Sequence, residues 1–201
     1  MQILHPFAGS VQQYDHQLAD PDRTRPDQCP QCQTKHPLTA HGFYNRTLTD
    51  LGSHFDGSIR VRRYLCESCR RTVSLLPEFA LPYLRFSIAM IGAFLVARLV
   101  HGKTLQQALP EAAPYQRGQR WLRRFRSRAR SLCASLSALT APVQAESFEL
   151  RALDMLNSVQ RGWIGAHRFL FAQLRDHLFG WPPSLAPDGR RAALGSAVSS
   201  G

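Results

Sequence analysis

The sequence predicts an α+β chain, mainly α, in which a small N-terminal β ribbon precedes a helical domain. Three observations predict it. Cysteines recur as two matching pairs, Cys29-Pro-Gln-Cys32 and Cys66-Glu-Ser-Cys69. The residues between the pairs alternate in polarity with the two-residue period of strands, and from Tyr83 onward apolar residues recur with the 3.6-residue period of helices.

Residues 1–28 mix Pro, Asp, Gln and Arg without periodicity, and Pro21-Asp-Arg-Thr-Arg-Pro26 reads as a linker, so a flexible lead-in is expected. The ribbon follows over residues 29–76. His41–Thr47 and Ser58–Leu65 are strand-like, with Leu51–Gly57 connecting them and Thr72–Leu76 as a third strand. In the second strand Ile59, Val61 and Leu65 share one face and Arg60, Arg62 and Tyr64 the other, so one face should pack and the other stay basic and aromatic. Pro77 and Pro82 bracket an extended link that ends the ribbon.

A helix-turn-helix domain is expected over residues 83–140. Its first helix runs from about Tyr83 to Val100, where His101-Gly102 supplies a stop. A short helix fits Thr104–Leu109, and a third runs from about Tyr115 to Leu139. Residues 141–180 should supply two packing helices, Glu146–Val159 and Ile164–Phe179. The Pro-, Gly- and Ser-rich residues 181–201 read as a disordered tail.

The paired cysteines carry the strongest chemical signal. Two residues between cysteines let one tight turn present both sulfurs to one ion, and four thiolates complete the tetrahedral shell that Zn²⁺ prefers. Cys29, Cys32, Cys66 and Cys69 are therefore the expected ligands of one structural zinc. Disulfides would need an oxidising compartment, yet Met1-Gln-Ile-Leu-His-Pro6 lacks the cationic and apolar regions of a secretory leader. A redox CxxC would be single. His36 and His41 flank the first pair and are expected beside the shell or at the surface. Cys133 lies on an apolar arc and reads as a small buried hydrophobe.

Charge narrows the partner class. The net charge of +11 and pI near 10.3 attract polyanions, nucleic acid first among them. Of 25 basic residues only Lys35 and Lys103 are lysine, a bias that genome composition also produces, so clustering is the better guide. Seven arginines fall within residues 115–130, and no acid occurs between Glu111 and Glu146. On a helix, Trp121, Leu122, Phe125, Ala129, Leu132, Cys133 and Leu136 gather into one arc and the arginines take the rest. As the last helix of a helix-turn-helix, this segment would enter the major groove by its N-terminal residues. Gln116, Arg117, Gln119 and Arg120 would then face bases. Arg123, Arg124, Arg126, Arg128 and Arg130 would meet phosphates. Arg60 and Arg62 of the ribbon, with Arg70 and Arg71, form a second basic patch that would either touch phosphate or balance the charge of a zinc-tetrathiolate centre. The bland alternative is a solvated, arginine-coated helix face. Gly118 inside the helix costs about 1 kcal/mol relative to Ala, and could mark a start nearer Gln119. The longest apolar stretch, Ser87–Ala97, is shorter than the roughly 20 residues of a bilayer span, so no membrane partner is expected and the chain should be cytoplasmic and nucleoid-associated.

The chain resembles a bacterial family of mobile-element-associated proteins and, more loosely, the N-terminal zinc-ribbon and helix-turn-helix part of insertion-sequence transposases. The resemblance rests on Cys29-Pro-Gln-Cys32, His41-Gly-Phe-Tyr44, the run from Ile59 to Thr72 and Leu76-Pro-Glu-Phe-Ala-Leu-Pro-Tyr83, within about residues 29–135. It implies binding of double-stranded DNA, with element ends as the expected sites, and a transposase or other mobile-element protein as a further partner. Such transposases continue into a domain with three metal-binding carboxylates. Here only Glu146, Glu149, Asp154, Asp176 and Asp188 follow Pro142, so a non-catalytic protein is expected rather than an enzyme. Two rivals stay open: an adaptor whose ribbon docks on a transposase or transcription component, and a transposase fragment that lacks its catalytic domain. The recognised sequence, the choice between DNA and RNA, and the oligomeric state are not encoded in any motif.

Overall fold

In the computed structural model, the residues described are 2–7, 11, 13–14, 24–50, 55–111, 113–141 and 144–180. Strands β1 (Gln2–His5), β2 (Thr39–Asp50), β3 (Phe55–Leu65) and β4 (Thr72–Pro77) form one sheet in the order β1-β4-β3-β2. β1 runs parallel to β4, with Ile3 opposite Leu75, whereas β2–β3 and β3–β4 are antiparallel. Five helices follow among the described residues: α1 (Ile88–Leu99), α2 (Leu105–Ala108), α3 (Tyr115–Leu136), α4 (Phe148–Ser158) and α5 (Gly162–Leu174).

This topology overturns the expected fold class, a ribbon followed by a helical helix-turn-helix domain. The described residues are 41% helical and 24% strand, and the strands make a mixed sheet that takes one member from residues 2–5. Local pattern could not reveal β1, because a four-residue strand becomes one only by pairing with β4. The proposed break at Pro77–Pro82 is a junction. The Glu78 N–H bonds to the His5 carbonyl, the Ile88 N–H to the Phe79 carbonyl, and the Thr49 and Ser87 N–H groups to the Arg85 and Thr49 carbonyls. Arg46 of β2 donates to the Leu81 and Leu84 carbonyls. The prolines leave these segments non-helical without separating what they join.

Both sheet faces are covered, which corrects the expectation of one basic face. Ile59, Val61 and Leu76 pack with Phe7, Tyr14 and Phe79 in one cluster. Tyr64, Val73 and Leu75 pack with Cys29, Leu38 and Cys66 in another. The strands themselves extend beyond their expected limits, because β2 and β3 pair from Thr39↔Leu65 to Asp50↔Phe55, with a register shift between Ala40 and Phe43.

The helices form near their expected places, with ends set by caps. Ser87 accepts the Met90 N–H, so α1 begins there and not at Tyr83, which is exposed with φ +60°. Its end near Gly102, at φ +65°, is as expected. Thr104 and Gln107 close a capping box around α2, a single helical turn. Ser147 caps α4. α5 ends at Leu174 with Arg175 in the left-handed region, so 175–180 are not helical. Gly118 lies within α3, and a Cβ there would come 2.7 Å from Leu109 Cδ2. The glycine lets α2 approach α3, which answers the objection it raised. All seven residues of the predicted arc on α3 are buried. Among the described residues no helix is long and apolar enough to cross a membrane. The predicted tail, 181–201, and part of the predicted lead-in lie outside the described residues.

Candidate metal centre and basic face

The two cysteine turns share one hydrogen-bonding scheme. In the first, the Cys29 N–H bonds to the Thr34 carbonyl at 3.1 Å; in the second, the Cys66 N–H bonds to the Arg71 carbonyl at 2.9 Å. Each turn places the fourth residue after its first cysteine in the left-handed region, Gln33 at φ +61° and Arg70 at φ +56°. The second turn joins β3 to β4 and the first leads into β2, so the sheet brings both to one end.

Cys29, Cys32, Cys66 and Cys69 converge there, with all four Sγ atoms within 4.8 Å of one another. Cys29 Sγ lies 3.8 Å from Cys69 Sγ, and Cys32 Sγ 3.6 Å from Cys66 Sγ. A tetrahedral thiolate shell with metal–sulfur bonds of about 2.3 Å has sulfur–sulfur edges of about 3.8 Å, so the donors fit a metal ion. These contacts are far longer than a disulfide bond of about 2.05 Å, and the cysteines are free. Hydrogen bonds from the Thr34 side chain and backbone lower the Cys32 pKa to about 6, while burial raises that of Cys69 to about 11. His36 Nε2 stands 3.4 Å from Cys66 Sγ and 3.4 Å from Ser68 Oγ, beside the four-sulfur shell. His41 is exposed on β2. Arg70 and Arg71 are exposed next to the centre, where they can offset the negative charge of a tetrathiolate.

The other predicted contact residues divide by environment. Gln116, Gln119, Arg120, Arg123, Arg126 and Arg130 are exposed on α3, and Arg117 is half-buried. Arg124 donates to the Gly180 carbonyl, and burial together with nearby Arg128 lowers its pKa. Arg128 forms an ion pair with the nearly buried Asp176 at 2.8 Å. The Arg130 guanidinium lies over the Phe148 ring. Arg124 and Arg128 therefore anchor the segment after α5, a use invisible in sequence because it depends on packing of distant residues. Arg62 is 7% exposed, its guanidinium over Phe43 at 4.5 Å and Tyr64 at 5.3 Å, and Arg60 lies over Phe43 at 4.9 Å. The expectation that Arg62 is displayed to a ligand is thereby corrected: the covered sheet face keeps it inside. Cys133 is buried as expected, its thiol donating to the Phe148 carbonyl, and burial raises its pKa.

Sequence reasoning missed a buried polar network behind the sheet. Glu78 is fully buried and accepts from the Phe7 N–H, Arg161 and Arg168. His167 Nδ1 lies 3.1 Å from the Glu78 carbonyl, and His167 Nε2 lies 3.0 Å from His177 Nδ1. A carbonyl can only accept, so neutral His167 carries its proton on Nδ1 and accepts through Nε2 from His177. Burial holds the His167 pKa down to about 4; burial and the charges of His167 and Arg46 hold that of His177 lower still.

A family model described as Domain of unknown function (DUF6431) matches residues 29–117. The matched stretch contains both cysteine turns, the sheet strands β2–β4 and the start of α3. No curated protein and no solved structure matches the chain.

Proposed function

We propose that this protein is a zinc-containing, non-catalytic DNA-binding protein that meets duplex DNA through the solvent-facing arginines of α3. One observation carries the reading: Arg117, Arg120, Arg123 and Arg126 have no carboxylate partner among the described residues. A protein gains little from such unneutralised charge in its own fold, whereas a phosphate backbone neutralises it and releases counterions. Zinc is favoured as the metal because an all-thiolate tetrahedral shell selects soft or borderline ions, and four protein ligands leave no open position for catalysis. Within the described residues, the four cysteines are the only cluster of three or more His, Cys, Asp or Glu side chains placed for a metal. The mobile-element setting rests on the sequence resemblance alone.

Fluorescence anisotropy of a labelled random-sequence duplex at several salt concentrations tests the reading. The logarithm of affinity should fall linearly with the logarithm of salt, by about 0.9 per neutralised phosphate. Arg120→Ala should lower that slope by about one phosphate equivalent, or relax preference at one base pair if it reads guanine. Absence of saturable binding at low salt would overturn the proposal.

A further inference from the structure

We propose that the cleft between α1, α2 and the N-terminal half of α3 is a nucleotide site that takes one unpaired nucleotide of a DNA strand, an inference that rests on the DNA-binding reading above. The cleft measures about 480 Å³, within the roughly 300–1,000 Å³ of small-ligand sites. Its lining has two chemically distinct parts. Arg98 from α1 and Arg123 and Arg126 from α3 supply cations, while Tyr115, Leu105 and Leu122 supply apolar surface. None of the three arginines has a carboxylate partner among the described residues. Tyr115 remains 48% exposed at the start of α3, an aromatic ring left available to a partner.

The combination selects a nucleotide in preference to a stretch of intact duplex. Paired bases are stacked inside the helix, so duplex DNA offers phosphates to convex arginine-bearing surface and leaves an apolar-walled recess unfilled. An unpaired nucleotide brings both chemistries at once: a flat base for Tyr115 and the leucines, and a phosphodiester for the guanidinium groups. Arg98 is the residue that sequence alone could not supply. It lies outside the arginine-rich run and reaches the cleft only because α1 packs near α3.

The test compares a fluorescein-labelled blunt duplex with the same duplex carrying a short single-stranded thymidine tail, using the full-length zinc-loaded chain. The tailed probe should bind roughly five- to tenfold more tightly. Tyr115→Ala and Arg98→Ala should erase that advantage and leave blunt-duplex binding largely in place, and Tyr115→Phe should retain it. Arg120→Ala, outside the cleft lining, should weaken both probes alike. Should Arg98→Ala fail to fold, Arg98→Gln, which keeps part of the aliphatic stem and removes the charge, applies the same test. Equal affinity for the two probes, or a tail advantage untouched by the cleft variants, overturns the nucleotide site while the duplex reading stands. Loss of binding to both probes by the parent protein sinks both. A matching uridine-tailed probe that binds more tightly than the thymidine one overturns the assignment to DNA.

Discussion

The cysteine-bearing end of the sheet and the helical body are held together by different means. Among the described residues, the buried cluster around the cysteines is six residues, and two of those are Cys29 and Cys66 themselves. The helical body buries 24 residues in one cluster centred on Trp121, Phe94, Phe125 and Leu156. Hydrophobic burial scales with area removed from water, so the body can hold its shape by packing, whereas the small end has little core of its own. On the zinc reading proposed above, a metal ion held by the four sulfurs would supply what that core does not.

The largest expected effect is loss of that ion. Cys66→Ser, or chelation of the wild type, should abolish stoichiometric metal in elemental analysis and remove hydrogen-exchange protection at residues 28–40 and 64–73, with α3 and α4 still protected. If exchange protection is unaffected by metal removal, the two regions are not differently sustained. The converse change is Trp121→Ala, a 1%-exposed side chain in edge contact with Phe86 and Phe94. It should cost about 3–5 kcal/mol in denaturant unfolding while metal content stays at its wild-type value.

The next effect sharpens the comparison through pH. His167 and His177 are neutral in the fold, and in the unfolded chain they titrate near 6.5. As pH falls below about 6.5 the unfolded chain takes up protons that the folded one refuses, so stability must decline from there toward about pH 4. The slope is at most about 1.4 kcal/mol per pH unit for each histidine. His167→Gln, whose amide can still donate to the Glu78 carbonyl, should remove one proton's share of the slope measured from urea unfolding at several pH values. An unchanged slope would mean that the pair is not neutral in the fold.

The smallest effects separate arginines that look alike in sequence. Arg128→Ala breaks an ion pair to a nearly buried carboxylate and should cost roughly 1–3 kcal/mol. Arg123→Ala should change stability by less than about 0.5 kcal/mol, and on the DNA-binding reading it lowers the salt slope by about 0.9. Equal stability losses from both variants would erase the distinction between anchoring and displayed arginines.

Much of the local structure was legible in the sequence. The alternation of Ile59 and Val61 identified a strand, and the arc from Trp121 to Leu136 identified the packed face of α3. The identical spacing of the two cysteine pairs announced one four-sulfur centre. Each of these signals is carried by residues close in the chain, where periodicity and turn length constrain side-chain direction.

What only the tertiary structure decided involves partners far apart in sequence. Gln2–His5 became a strand because β4 offered a free edge, and Pro77–Ser87 became a joint because its backbone groups found partners in β1 and β2 and at the start of α1. Arg62 turned inward because both sheet faces are covered. Arg124 and Arg128 were withdrawn from solvent by residues 176–180, and Arg98 was brought beside Arg123 and Arg126. The sequence by itself determined which residues can ligate, pack or carry charge. Which arginines remain displayed depends on the neighbours that folding supplies, and those contacts have no period to read.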